Sequence, residues 1–181
     1  MKLTSQFGET LITFSNGRSP LNRMRVLIVD DEEVNVALLE EVLGAEGYTR
    51  MKCVTDSRNA LAACKEFAPD IVLLDLMMPY IDGFAVLEAL RSAPAEVFLP
   101  IIVLTADSND ETKLRALNAG ATDFLLKPFA DIEVLLRVRN LLEMRQLHLQ
   151  LDARRGALEE ALHASNGELR QAQAELDRVR P

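Results

Sequence analysis

Three short stretches of this chain are almost unbroken runs of apolar residues, RVLIVD at 25–30, IVLLD at 71–75 and PIIVLTA at 100–106, and a last strand is expected at DFLLK, 123–127. A strand that buries one face alternates apolar with polar side chains, whereas a strand covered on both faces has no need to. Such runs belong inside a parallel sheet with helices on each side. The intervening segments agree. EEVNVALLEEVLGAEGY carries Val34, Leu38 and Val42 at helical spacing and meets a stop at Gly47. A weaker strand is expected near Arg50–Val54. Helices are expected from about Ser57 to Phe67, ending ahead of Pro69, from Gly83 to Ser92, and from Asp110 to Asn118, closing at Gly120. A fifth helix follows Asp131.

Five βα units in about 120 residues, joined by right-handed crossovers, predict an α/β fold: a five-stranded, doubly wound parallel sheet of flavodoxin-like type, strand order 2-1-3-4-5. In such a sheet ligands bind at the carboxyl ends of the strands. Those ends carry Asp30 and Asp31 after the first strand, Asp75 after the third, Thr105 and Ala106 after the fourth, and Lys127 and Pro128 after the fifth. Each piece has an ordinary reading: an acidic pair caps a helix, a strand-end threonine satisfies a loop, and Lys-Pro makes a turn. Their joint spacing is what points to chemistry. Two carboxylates about 4 Å apart repel by about 4 kcal/mol at an effective dielectric of 20, so the cluster needs positive charge. Lys127 supplies some, and a hard divalent cation would supply the rest. An all-oxygen donor set favours Mg²⁺ or Mn²⁺ over zinc. A carboxylate beside such an ion can attack phosphorus, giving an acyl phosphate on Asp75.

The stretches VLIVDDEEVN, DIVLLDLMMPYIDGFAVLEALR, PIIVLTA and NAGATDFLLKPF together resemble the CheY-like receiver domain of bacterial two-component response regulators. The resemblance covers residues 24–145. It implies that Asp75 is the phosphoacceptor, with Asp31 the principal metal ligand, Asp30 acting through water, and Asp75 and the backbone carbonyl of Met77 completing the set. Thr105, Ala106 and Lys127 would bind the phosphate or switch with it, Phe124 would be the aromatic switch residue, and the bond to Pro128 would be a candidate cis peptide. It also implies a cognate sensor histidine kinase or phosphotransfer protein as partner. The domain would catalyse its own phosphorylation and dephosphorylation without being an enzyme in the wider sense.

After Asp131 the texture changes. The segment contains no proline until the end and carries a heptad stripe: Leu141, His148, Arg155, Leu162, Leu169 and Leu176 at one core position, Met144, Leu151, Leu158, Ser165, Ala172 and Val179 at the other. The fifth helix is therefore expected to extend into a parallel, homodimeric coiled coil, with residues 146–181 as dimerisation and linker helix. This arrangement is similar to linkers that precede cyclic-di-GMP output domains, none of whose catalytic motifs occurs in this sequence. Residues 1–23 are expected to be a flexible arm. The net charge of −8 argues against broad binding to nucleic acid. The absence of any run of 18 apolar residues argues against a membrane span. Cys53 and Cys64, eleven apart, read as free thiols of a reducing cytoplasm. Two competing readings remain. One is a haloacid-dehalogenase-like Mg²⁺-dependent phosphatase, which wants its DxD on the first strand, where this chain has DDE. The other is a pseudo-receiver scaffold acting through its coiled coil.

Overall fold

The structure is a computed structural model that describes residues 19–92 and 98–179, with side chains of the last helix described through residue 167. Its five strands, β1 (Val26–Val29), β2 (Met51–Val54), β3 (Ile71–Asp75), β4 (Ile101–Thr105) and β5 (Asp123–Leu126), form one parallel sheet in the order β2-β1-β3-β4-β5. Helices α1 (Glu33–Ala45), α2 (Ala60–Phe67), α3 (Gly83–Ser92), α4 (Asp110–Asn118) and α5 (Asp131–Val179) connect and cover it. The expected second helix opens with a 3-10 turn at Ser57–Asn59 before becoming α-helical.

The unbroken apolar runs are explained by two cores, one on each face. Val26, Ile28, Ile71, Leu73, Ile102 and Leu104 point to one side and pack against α1 and α5. Their chain neighbours Leu27, Val29, Val72, Leu74, Ile101 and Val103 point to the other and pack against α2, α3 and α4. Every residue of β3 and β4 is buried. Fully burying one such side chain contributes about 1.5–3 kcal/mol, so the central strands are firmly held. They end at Asp75 and Thr105.

The folded unit begins earlier than expected. Pro20–Arg23 form a 3-10 turn, Leu21 is buried in the α1/α5 core, and the Asn22 side chain donates to the Glu46 carbonyl. The rest of the expected arm, residues 1–18, lies outside the described residues. α5 continues well past the sheet, but the expected seam needs one correction. Leu141 is buried in the domain's own core, because the first three turns of α5 cover the sheet, so it is closed to a partner. The exposed stripe starts at Met144 and continues through Leu151, Leu158 and Leu162, with Ser165 also exposed. His148 rests against Phe98 with ring centroids 4.9 Å apart, and Arg155 forms ion pairs with Asp152 and Glu159 of its own helix. The side chains of Leu169, Ala172, Leu176 and Val179 lie outside the described residues. Among the described residues no helix is long and apolar enough to cross a membrane. Cys53 and Cys64 are free thiols, and burial pushes the Cys53 thiol up to about 12, which makes it a poor nucleophile.

Candidate functional site

The carboxyl ends of β1, β3 and β5 bring together residues 97 positions apart in sequence. The Lys127 ammonium lies 2.7 Å from Asp30 Oδ2 and 2.8 Å from Asp75 Oδ1, bridging the two carboxylates. Asp31 completes the group: one carboxylate oxygen from each of Asp30, Asp31 and Asp75 lies within 4.8 Å of the others. Asp30 and Asp75 are buried, at 0% and 3% exposure, while Asp31 reaches toward solvent. Lys127 follows the last residue of β5, and its amide donates to the Thr105 carbonyl at 2.8 Å, which sets it level with the end of β4. The Lys127–Pro128 peptide bond is cis.

The two buried carboxylates are also held by the backbone. Asp30 Oδ1 accepts from the Glu32 amide at 3.0 Å, and both its oxygens accept from the Asn35 side-chain amide. Asp75 Oδ2 accepts from the Met77 amide at 3.1 Å. Sequence reasoning overlooked Asn35, although its signal was present: an amide side chain in the first turn of a helix, five residues after a strand-end Asp. Gly83 was overlooked too. A Cβ there would lie 2.1 Å from the Asp75 carbonyl oxygen and 2.6 Å from Leu76 Cα, so only glycine lets α3 start against the end of β3.

The electrostatics show a site short of positive charge. Burial drives the Asp75 carboxyl above the ordinary carboxylate range; Lys127 and the Met77 amide pull it back, and the charge of Asp30 adds to the rise. Burial works to lower Lys127, but its hydrogen bonds and ion pairs with Asp30 and Asp75 outweigh that and leave it raised, hence firmly protonated. The ammonium thus serves two of the three clustered carboxylates, Asp30 and Asp75, and leaves Asp31 to another partner. The donor set is oxygen only, compact and open on the Asp31 side. It fits a hard divalent ion held by Asp30, Asp31 and Asp75.

The expected switch residues flank this centre. Thr105 is buried, and its hydroxyl accepts from the Asp107 amide at 3.1 Å. Ala106 is exposed beside it. Phe124 is half-buried, packed against the core on the α2–α4 face, with the Lys113 ammonium 5.7 Å and the Arg137 guanidinium 5.9 Å from its ring centroid. Arg137 of α5 in turn bridges Asp123 and Glu133. The Met77 side chain is 72% exposed.

Comparison with known proteins agrees with this geometry. The response regulator PleD of Caulobacter vibrioides is 43% identical over 117 residues, 65% of this chain but 26% of PleD, so the chain spans about a quarter of that relative's length. The solved receiver domain of the Francisella response regulator 1452 superposes with a TM-score of 0.63 at 30% identity, covering 67% of this chain and 98% of that one. A solved two-component response regulator/GGDEF domain protein gives 0.63 at 29% identity, covering 69% of this chain and 51% of the other. Residues 26–139 match the response regulator receiver domain, and the chain belongs to that family.

Proposed function

We propose that the chain is a phosphorylation-dependent switch that accepts a phosphoryl group on Asp75 from the phosphohistidine of a sensor kinase or phosphotransfer protein. The observation that carries this is the Lys127 ammonium seated between Asp30 and Asp75. Asp75 Oδ attacks phosphorus, the phosphorus–nitrogen bond breaks, and its electron pair returns to the imidazole. The product is an acyl phosphate. Rigid β3 and the Met77 amide orient the attacking carboxylate. Lys127 then has a phosphate oxygen to pair with in place of Asp75, and the Thr105 hydroxyl and the Ala106 amide would donate hydrogen bonds to the same group. Asp30, Asp31, Asp75 and the Met77 carbonyl would hold Mg²⁺ or Mn²⁺, which when bound neutralises charge on the transferring group.

Phosphate adds about −1.5 to −2 charge to a buried site, so its arrival must select between two packings. Thr105 moving off the Asp107 amide toward phosphate, with Phe124 following, repacks the α4–β5–α5 face. α5 carries that change to its exposed stripe, which we read as a dimer seam from Met144 onward, and to an output domain in a longer protein. The response regulator/GGDEF neighbour favours a cyclic-di-GMP-related output, and the reading places the protein in the cytoplasm.

The test is incubation with acetyl phosphate and Mg²⁺, read by intact mass. One phosphoryl adduct is expected, absent without the metal and absent in Asp75→Asn; a full adduct on Asp75→Asn refutes the assignment. Sedimentation of Leu151→Glu and of the parent, with and without beryllofluoride, tests the seam: a parent monomeric in both states rules it out.

A further inference from the structure

The segment between β3 and α3, Leu76–Asp82, carries the Met77 amide that holds Asp75; Leu76, Met78 and Ile81 anchor it to the core, but its tip at Tyr80 has no such anchor. Its ends are tied by the Gly83 amide donating to the Leu76 carbonyl, and Met78 is buried. Met77 and Tyr80, at 72% and 75% exposure, anchor nothing by burial. At its centre the Ile81 amide donates to the Pro79 carbonyl at 2.9 Å, closing a γ-turn over Tyr80, whose φ is +68°. A γ-turn with positive φ at its centre is rare and strained, and an aromatic residue is poorly suited to it. Something outside the segment must keep it there.

That something is the loop after β2. The Ser57 side chain is buried at 2% exposure; its hydroxyl donates to the Pro79 carbonyl at 2.6 Å and accepts from the Ile81 amide at 3.1 Å. One hydroxyl therefore satisfies the residues on both sides of Tyr80, across 22 and 24 positions of sequence. Beside it, the Arg58 guanidinium lies 4.2 Å from the centroid of the Tyr80 ring and is held in place by a bidentate pair with Asp56. Ile81 also packs against the apolar core, but among the described residues Ser57 alone supplies side-chain hydrogen bonds to the turn.

We propose that Ser57 is a positioning residue for the acidic site: with Arg58 stacked on Tyr80, it locks the strained turn and so fixes where the Met77 backbone stands beside Asp75. This rests on the reading of Asp75 as phosphoacceptor and the site as a Mg²⁺ centre. Ser57 touches neither. It acts through the turn, and it is needed because position 80 is tyrosine. A glycine there would hold the same φ without strain.

The experiment is a double-mutant cycle on the full chain, with Ser57→Ala and Tyr80→Gly, alone and combined. Each protein is titrated with Mg²⁺ by calorimetry and its Ile81 amide exchange is followed by NMR in EDTA. Ser57→Ala is expected to weaken Mg²⁺ binding about tenfold and to speed Ile81 exchange, the effect of losing a buried two-bond partner. In the Tyr80→Gly background the same change is expected to cost about twofold or less, because the turn no longer needs the lock. Equal weakening in both backgrounds overturns the proposal, as does unchanged Mg²⁺ affinity in Ser57→Ala. A parent that binds no Mg²⁺ overturns the metal-site reading instead, and the exchange data then still report whether Ser57 locks the turn.

Discussion

Removing Lys127 should expose how much the site depends on one ammonium. Its side chain is 18% exposed, and those of its partners Asp30 and Asp75 are 0% and 4% exposed, so solvent screens the pairs little. At 2.7 and 2.8 Å each attraction is about 6 kcal/mol at an effective dielectric of 20, before the cost of stripping water from three charges. Lys127→Met deletes both attractions and leaves the mutual repulsion of the carboxylates. Breaking a buried pair in this way costs about 3–5 kcal/mol. For a chain of this size that corresponds to a fall in Tm of roughly 6–20 °C. The assay is urea unfolding in EDTA. Adding Mg²⁺ should recover part of the loss, because the ion offers the carboxylates another partner. Asp75→Asn in the Lys127→Met background should also recover part of it, since the stranded charge is gone. If Lys127→Met costs less than about 1 kcal/mol in EDTA, or if the two substitutions destabilise additively, the picture of Asp30 and Asp75 sharing one cation is wrong.

Gly83→Ala should lose at least about 1–3 kcal/mol, because its Cβ meets the backbone of β3 and that backbone is the least able to move; thermal melts check it, and an unchanged Tm would mean α3 can slide. Met77→Asn should shorten the lifetime of the Asp75 phosphate, since an exposed thioether beside the site cannot orient water and an amide can; a phosphate that decays at the parental rate or slower, timed by mass or phosphate release, contradicts this. Tyr48 is buried at 5% exposure, and burial pushes its phenol up to about 12, against the pull of Arg139. The folded state holds this proton more tightly than the unfolded state, so the stabilisation is complete below pH 10 and is lost as pH rises through about 12, on the order of 3 kcal/mol in all. Tyr48→Phe should flatten the alkaline fall in urea stability over that window.

The apolar runs at 25–30, 71–75 and 100–106 determined the sheet without help from the structure. Burial on both faces leaves no room for polar residues, and that constraint is written residue by residue in the chain. The strand-end positions of Asp30, Asp75, Thr105 and Lys127 followed from it, because a parallel sheet gathers all its carboxyl ends at one edge. Tertiary structure alone decided what lies between those ends. That Asn35 grips both oxygens of Asp30, that Gly83 admits α3 against β3, and that Ser57 locks a turn 22 residues away depend on distances between elements, which no local pattern carries. Leu141 makes the same point in reverse. Its heptad spacing is identical whether it faces a partner or its own sheet, and only the packed helix shows which, because periodicity fixes the face of a helix and not what covers it.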